Sequence, residues 1–242
     1  MSIFVLVHGS WGGGWQWRRL ANLLRSQGHE AYPVTLRGLG DRSHLGLDQT
    51  SLTVSAHIED VVQLLYFEDL HDVVLVGWSY GGAVVDGVAD RVPERLATVV
   101  NLDGEIVVDG RSLQDGWTPE QREETREFHA GARKSGWLRP PTADQLADVL
   151  DDPELRAWLG QRLRPQPYAT YTEPYPDTGG RRHTVPHVYL RCTEDYLPED
   201  PAITRLRSDV GWRVHDLPLN HLGLLYAPEV VAEALIEVAG NR

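Results

Sequence analysis

The stretch LVGWSYGGAVV at residues 75–85 constrains the fold of this chain more than any other. An apolar run leads directly into GWSYG at 77–81, which fits the pattern G-x-S-x-G, and a helix-like segment follows it. In that pattern a serine lies on a sharp turn between a buried strand and a helix, with its hydroxyl above the carboxyl edge of a parallel sheet. We therefore predict that Ser79 is a nucleophile; the alternative is a structural Gly-Ser turn.

The segments on either side of this motif alternate between strands and helices. Apolar runs such as DVVLVG at 72–77 are typical of parallel strands that are buried on both faces. Between them, apolar residues recur at helical spacing, as at Val54, Ile58, Val61 and Leu65. This alternation predicts an α/β fold with a mostly parallel sheet of about six strands and helices on both faces.

Residues 108–183 differ in character from the rest of the chain. They are rich in proline, tryptophan and mixed charges, and they contain helix-like segments at 118–136 and 142–163 but no convincing strand pattern. The length of 242 residues fits one domain. We therefore expect a single domain over residues 1–242 with a helical cap inserted at 108–183.

Composition and charge restrict the partners of this chain. Its formal net charge of -12 argues against nucleic acids and anionic membrane surfaces, which repel acidic proteins. Cys192 is the only cysteine, so neither an internal disulfide nor a cysteine zinc site is expected. The first apolar run is too short for a signal peptide, and no stretch is long enough to span a membrane. We expect a cytoplasmic protein that acts on a small molecule; the sequence is compatible with a homodimer.

A nucleophilic serine needs a base, and the base needs an acid that orients it. In this architecture they follow in the chain order serine, acid, histidine. His221 fits the base, since it lies in a loop between the last predicted strand and the last helix. His8 is expected to pack or to position the neighbouring loop. Two strand histidines, His187 and His215, are expected to pack or to be exposed, and His183 lies in an irregular stretch. The others are expected to be solvated: His29, His44, His57, His71 and His129.

Two aspartates are candidates for the acid. Asp195 follows the penultimate predicted strand, and Asp103 follows the strand after the nucleophile helix. Both therefore lie at the carboxyl edge of a parallel sheet, where either could reach His221. We favour Asp195 and keep Asp103 as the alternative.

A glycine-rich loop, HGSWGGGW at residues 8–15, follows the first predicted strand. It lacks both G-x-G-x-x-G and a Walker lysine, so it does not fit a phosphate-binding loop. We expect the backbone N–H groups of Ser10 and Tyr80 to form an oxyanion hole. Trp11, Tyr80 and aromatic residues of the cap are expected to line an apolar pocket, with ordinary packing as the alternative for each.

Together these segments resemble the α/β-hydrolase superfamily, in particular its branch of plant methylesterases, plant hydroxynitrile lyases and related bacterial esterases. The resemblance covers nearly the whole chain and implies ester hydrolysis through an acyl-enzyme, without a metal or cofactor. In the plant members a CTED segment carries the triad aspartate, which supports Asp195; many bacterial relatives have it at the NLDG position, which supports Asp103. The segments that carry the resemblance are FVLVHGSWGGGWQW, GHEAYPVTLRGLGDRSH, VVLVGWSYGG, YLRCTED and NHLGLLYAPEVVAEAL.

The chain departs from that branch at two positions. Trp78 precedes the nucleophile, where the esterases usually have histidine and the lyases glutamate. Trp78 indicates either altered packing beneath the turn or a changed wall of the substrate pocket. Leu222 follows the histidine where the lyases have a lysine, which argues against a lyase.

We therefore predict a serine hydrolase that cleaves a carboxylic ester or lactone of a small apolar or aromatic substrate. The alternative is a cofactor-free, non-hydrolytic enzyme of the same fold, with His221 and Asp103 as the base and Ser79 only binding the substrate. Carbon–carbon cleavage, elimination and natural-product tailoring belong to this class. A ligand-binding module on a hydrolase fold is a third interpretation.

Overall fold

The computed structural model describes residues 1–48, 51–176, 179–194 and 201–241. In these ranges β1–β4, β7 and β8 form one sheet of six parallel strands in the spatial order β2-β1-β3-β4-β7-β8, while β5 and β6 form a separate antiparallel pair. The prediction of a parallel sheet of about six strands is confirmed. The strands are β1 (Ile3–Val7), β2 (Glu30–Val34), β3 (Val73–Trp78), β4 (Leu96–Leu102), β5 (Trp137–Leu138), β6 (Gln166–Pro167), β7 (His187–Cys192) and β8 (Trp212–Leu217).

Helices cover both faces of this sheet. Two of them, α1 and α12, pack together on one face, and α2 and α3 pack together on the other. No helix in the described ranges has the length and apolarity to cross a membrane. The helices are α1 (Arg18–Ser26), α2 (Val54–Phe67), α3 (Gly81–Arg91), α4 (Leu113–Gly116), α5 (Pro119–Glu124), α6 (Arg126–Ser135), α7 (Ala143–Ala147), α8 (Pro153–Gly160), α9 (Ala169–Thr172), α10 (Pro201–Leu206), α11 (Gly223–Tyr226) and α12 (Pro228–Gly240).

The apolar strand β3 shows why the sheet is covered on both faces. Its side chains alternate between the two faces, as the pleat of a strand requires. Val74 and Val76 join the core beneath α1 and α12, while Val73 and Leu75 join the core beneath α2 and α3. Every residue of β3 is buried, so a polar residue on either side would lose contact with water.

The stretch between β4 and β7 contains α4 to α9 and the pair of β5 with β6. Each of the two helical segments predicted here is divided into two shorter helices, α5 with α6 and α7 with α8. The expectation of no strand in this stretch was wrong, because Trp137 and Leu138 pair antiparallel with Pro167 and Gln166. Two residues per strand are too few to show alternation in a sequence. The domain assignment and the limits of the cap stay predictions.

Candidate active site

Ser79 lies on a tight turn between β3 and α3 with a left-handed backbone, φ 55°. A side chain other than glycine's rarely adopts this conformation, which costs about 1–3 kcal/mol and persists only when the surrounding structure enforces it. The Ser79 N–H donates to the Leu102 carbonyl oxygen at 3.2 Å, and the Ser79 carbonyl accepts from the N–H groups of Gly82 and Glu105 at 2.9 and 3.0 Å. The turn is thereby tied to the loop after β4.

Two glycines allow other chain segments to approach this turn. A Cβ atom at Gly81 would lie 2.6 Å from the Val7 carbonyl oxygen, so α3 could not begin so close to β1. A Cβ atom at Gly9 would lie 3.0 Å from the Cβ of Ser79. The glycine-rich loop after β1 is therefore packed directly against the serine, as the sequence indicated.

Asp103 follows β4, and its carboxylate joins two strand ends to the histidine loop. Its Oδ2 accepts a hydrogen bond of 2.7 Å from His221 Nδ1, and its Oδ1 accepts one of 3.1 Å from the Cys192 N–H. The Asp103 N–H donates to the Leu190 carbonyl at 2.8 Å, and its backbone is left-handed, φ 44°. Because a carboxylate only accepts, His221 carries its proton on Nδ1, and Nε2 is the basic nitrogen.

The other candidate acid, Asp195, lies outside the described residues. Among the predicted site residues, the structure brings Asp103 and His221 into hydrogen-bond contact, with side chains 14% and 38% exposed. Ser79 and His221 line the same cavities. The histidine thus contacts a partly buried carboxylate and borders the cavities that Ser79 also lines.

Trp78 contacts the back of the histidine loop. Its indole N–H donates to the His221 carbonyl oxygen at 3.0 Å, and the two rings lie 5.6 Å apart. The side chain is 4% exposed and belongs to the core on the α1 and α12 face. It also borders a small cavity beside Ser79. Both functions suggested by the sequence, packing and a pocket wall, therefore fit its position.

The predicted oxyanion donors lie on either side of the serine. Ser10 and Tyr80 are 7% and 0% exposed, and neither backbone N–H donates to an acceptor in the ranges that the structure describes. The Ser10 hydroxyl lies 2.6 Å from the Tyr171 hydroxyl, and the Tyr80 hydroxyl lies 2.8 Å from His57 Nδ1. Burial raises the pKa of both phenols, so they are neutral donors or acceptors near pH 7.

Trp11 ties the glycine-rich loop to the stretch predicted as the cap. Its N–H donates to Gln166 Oε1 at 3.1 Å and its indole to the Leu138 carbonyl at 3.3 Å, while its carbonyl accepts from the Arg164 N–H at 2.9 Å. Its backbone is left-handed, φ 61°. Each of these bonds joins residues more than a hundred positions apart, so no local sequence pattern indicates them. The contact of Tyr171 with Ser10 likewise has no local sequence pattern.

Two cavities meet at the serine and the histidine. The larger is about 360 Å³ and is bordered by Trp117, Tyr189 and Glu105 among others. The smaller is about 70 Å³ and mostly apolar, with Trp11, Trp78, Leu146, Leu159, Leu163 and Leu222 in its wall. A larger surface groove lies at the β2 edge, away from these residues. A site with two unequal compartments and a nucleophile at their junction can accept a molecule with two unequal parts.

Within the described ranges no group of three or more histidine, cysteine or acidic side chains has the geometry to hold a metal ion. The buried charged side chains around α3 form ion pairs instead: Arg182 pairs with Asp90 and Asp109, each at 2.6 Å, and Asp86 approaches His187 to 3.7 Å. The arrangement at Ser79 is one of acid–base and nucleophilic groups.

Comparison with known proteins identifies the family. The sequence model of the Alpha/beta hydrolase family matches residues 4–234. A carbendazim-hydrolyzing esterase of Nocardioides sp. (strain SG-4G) is 36% identical over 247 residues, which cover 97% of this chain and 98% of that protein. Putative methylesterase 13 of Arabidopsis thaliana, a chloroplastic protein, is 28% identical over 98% of this chain, which spans 56% of that protein's length.

Solved structures agree with this comparison. An extracellular alpha/beta-hydrolase from a Paenibacillus species superimposes with a TM-score of 0.83 at 25% identity over 99% of both chains; it shares structural and functional homology with tobacco salicylic acid binding protein 2. The resemblance inferred from the sequence and the prediction of a carboxylic ester hydrolase are confirmed at the level of the family and its named esterases. This chain belongs to the alpha/beta hydrolase family.

Proposed function

We propose that this protein hydrolyses a small carboxylic ester by a serine, histidine and aspartate mechanism, with Ser79, His221 and Asp103 in those roles. The observation that carries this proposal is the 2.7 Å hydrogen bond between Asp103 Oδ2 and His221 Nδ1, beside a serine that is held in a left-handed turn. The names of the two esterase relatives support the same reaction class.

The proton positions assign the steps. Because Nδ1 donates to Asp103, Nε2 of His221 takes the proton from the Ser79 hydroxyl as its oxygen attacks the ester carbonyl carbon. When the tetrahedral intermediate collapses, Nε2 returns that proton to the leaving alcohol. Water then attacks the acyl-enzyme by the same route and releases the acid. Asp103 holds the imidazole in one tautomer and stabilises its protonated form.

The negative oxygen of the intermediate is bound by two backbone donors. The Ser10 and Tyr80 N–H groups are the candidates, since both are buried next to Ser79 and neither donates to an acceptor in the described ranges. Removing one such donor typically costs about 3–4 kcal/mol of transition-state stabilisation. No cofactor or metal takes part in this mechanism.

The unequal cavities favour an ester of a small alcohol. The compartment of about 70 Å³ is much the smaller of the two, which suits a short alkoxy group such as methoxy or ethoxy. The compartment of about 360 Å³ suits an aromatic or branched acyl group beside Trp117 and Tyr189. We therefore propose small alkyl esters of a bulky acid as the substrate class. A lactone, whose alcohol and acyl parts are joined, fits this division less well.

The test is intact-mass spectrometry after treatment with a fluorophosphonate, which labels an activated serine. Wild type should gain one adduct, Ser79→Ala should gain none, and His221→Ala should react at least about a hundredfold more slowly. Ser10→Ala is the matched control: it removes a neighbouring hydroxyl but keeps the backbone N–H, so the adduct should still form at Ser79. A folded wild type that gains no adduct, or a labelled Ser79→Ala, would contradict the proposal.

Turnover of an ester series tests the substrate class and separates the alternative. For aryl-acid esters, kcat/KM should fall about tenfold or more from the methyl to the n-butyl ester, because the longer alcohol overfills the small compartment. A faster butyl ester would reverse the assignment of the compartments. A Ser79→Ala variant that keeps its turnover of some substrate while His221→Ala loses it would instead indicate the non-hydrolytic enzyme with a His221–Asp103 base.

A further inference from the structure

His8 is fully buried at the end of β1, and the proposed mechanism does not use it. Its Nδ1 lies 2.7 Å from the Gly9 carbonyl oxygen, and its Nε2 lies 3.1 Å from the Leu36 backbone nitrogen. A carbonyl only accepts and a backbone N–H only donates. The ring therefore carries its proton on Nδ1, donates to Gly9 and accepts from Leu36.

This arrangement admits only the neutral ring. A second proton on Nε2 would face the Leu36 N–H, and two donors cannot share one hydrogen bond. Burial lowers the pKa of His8 to about 4, against a smaller opposite effect of its bond to Gly9 and of Asp41. His8 thus stays a fixed donor to Gly9 at neutral pH.

The Gly9 carbonyl belongs to the same peptide unit as the Ser10 N–H. A trans peptide is planar, and its C=O and N–H point in opposite directions. Every peptide bond that the structure describes is trans. When His8 fixes the direction of the Gly9 carbonyl, it also fixes the direction of the Ser10 N–H, which is the donor proposed for the substrate oxygen.

The two peptides that follow along the chain are held as well. The Trp11 N–H donates to Gln166 Oε1 at 3.1 Å, and the Trp11 carbonyl accepts from the Arg164 N–H at 2.9 Å. The Ser10 N–H therefore belongs to a peptide held by His8 and is followed by a peptide held by Gln166, while it has no acceptor itself in the ranges described. A free donor in such a braced loop is prepared before the substrate arrives.

We propose that His8 is a positioning residue, which holds the Gly9–Ser10 peptide plane so that the Ser10 N–H points at the oxygen of the reacting ester. This inference rests on the proposed function, because it needs an oxyanion at that place. His8 itself does not touch the substrate. Its effect should appear in kcat and not in KM, because the oxygen carries its full charge only in the transition state.

Two substitutions at His8 separate the two hydrogen bonds. His8→Asn keeps an N–H donor near the position of Nδ1 and loses the acceptor for Leu36. His8→Gln reaches the position of Nε2 and loses the donor to Gly9. His8→Gln should lower kcat by about 10- to 100-fold with KM within about threefold, since misplacing a donor costs part of its effect. His8→Asn should keep kcat within about fivefold of wild type.

His187→Gln is the control for general loss of stability. His187 is also buried, and its Nδ1 donates to the Val185 carbonyl at 2.8 Å, at the start of β7 and far along the sheet from Ser79. It should lower Tm as His8→Gln does while kcat stays within about twofold. Equal kcat losses in His8→Asn and His8→Gln, or a His8→Gln enzyme with unchanged kcat, would overturn the positioning role.

A measurement on wild type covers the case in which the variants do not fold. Nitrogen-15 NMR of the His8 ring should show a neutral ring with its proton on Nδ1, and that proton should shift when a trifluoromethyl ketone forms an oxyanion adduct at Ser79. A proton on Nε2, or no response to the adduct, would refute the inference. Failure of the proposed function is distinguishable: it would appear as full activity in Ser79→Ala, whereas failure of this inference leaves Ser79→Ala inactive.

Discussion

Two of the aspartate–histidine pairs in the described ranges have very different properties. Asp103 and His221 share a 2.7 Å hydrogen bond, and the histidine side chain is 38% exposed. Asp86 and His187 approach only to 3.7 Å, with side chains 3% and 1% exposed. Neither Asp86 Oδ1 nor His187 Nε2 has a hydrogen-bond partner in the described ranges.

Their positions along the sheet explain the difference. Asp103 and His221 follow the carboxyl ends of β4 and β8, and all parallel strands bring those ends to one edge. Asp86 lies within α3, and His187 begins β7 at the opposite edge, with its ring 4.6 Å from the Trp212 ring. An aspartate near a histidine thus does not by itself orient the ring, and of these two pairs Asp103 and His221 border the cavity beside Ser79.

Replacing each of the two histidines by glutamine should give the largest difference in activity between the pairs. His221→Gln removes the base, and kcat/KM for a methyl ester should fall at least about 10⁴-fold, as in triad enzymes that lose their histidine. His187→Gln should leave kcat/KM within about threefold. Steady-state hydrolysis with both variants at equal folded fraction, checked by circular dichroism, gives the answer. A large loss of turnover in His187→Gln would mean that the buried pair is coupled to the reaction.

Trp78→Phe tests how the active pair is supported. The change removes the indole hydrogen bond to the His221 carbonyl but keeps an aromatic ring in the core, so kcat should fall about tenfold. Trp17→Phe is the matched control, because Trp17 is fully buried and its indole nitrogen has no partner among the described residues. Steady-state assays of ester hydrolysis by both variants at one temperature measure kcat. Equal kcat in the two variants would deny Trp78 a positioning effect.

Asp86→Asn tests the buried pair and should have the smallest effect. Asp86 is buried and its Oδ1 has no hydrogen-bond partner in the described ranges, so replacing its carboxylate by a neutral amide should raise the free energy of unfolding by about 1 kcal/mol. Asp90 differs, because it holds Arg182 by bonds of 2.8 and 2.6 Å. Thermal unfolding should show Tm higher by about 2–4 °C, with kcat unchanged. Asp90→Asn should lower Tm. A clear fall of Tm in Asp86→Asn would instead indicate a stabilising ion pair with His187.

Much of the fold follows from the sequence because its strands are continuous apolar runs. Residues 73–78 can be buried on both faces only in a covered parallel sheet, and the adjoining G-x-S-x-G then requires a turn into a helix. Chain order also selects His221 as the predicted base. These inferences need only local pattern and the rule that parallel strands end at one edge.

Other features depend on contacts between distant residues. The sequence favours Asp195 but leaves Asp103 open, because both follow parallel strands and nothing local tells which one meets the histidine loop. The contact of Ser10 with Tyr171 joins residues 161 apart. The two-residue strands β5 and β6 are too short for any pattern.

His57 was expected to be solvated, and this expectation was wrong: its side chain is fully buried. His129, expected to be solvated as well, is also buried at 5% exposure. A signal for His57 was present, since it lies three residues after Val54 and four before Val61 and therefore on the buried face of α2. Its ring satisfies both nitrogens with the Tyr80 hydroxyl and the Arg37 carbonyl, and burial lowers its pKa to about 4.

A comparison of Asp103→Asn with Asp195→Asn tests most directly whether Asp103 orients His221. Asp103→Asn should lower kcat for a methyl ester by about 10³- to 10⁴-fold, because the imidazole loses its tautomer and its charge partner. Asp195→Asn should stay within about threefold of wild type. A large loss in Asp195→Asn together with an active Asp103→Asn would contradict the proposed mechanism and assign the acid to the other aspartate.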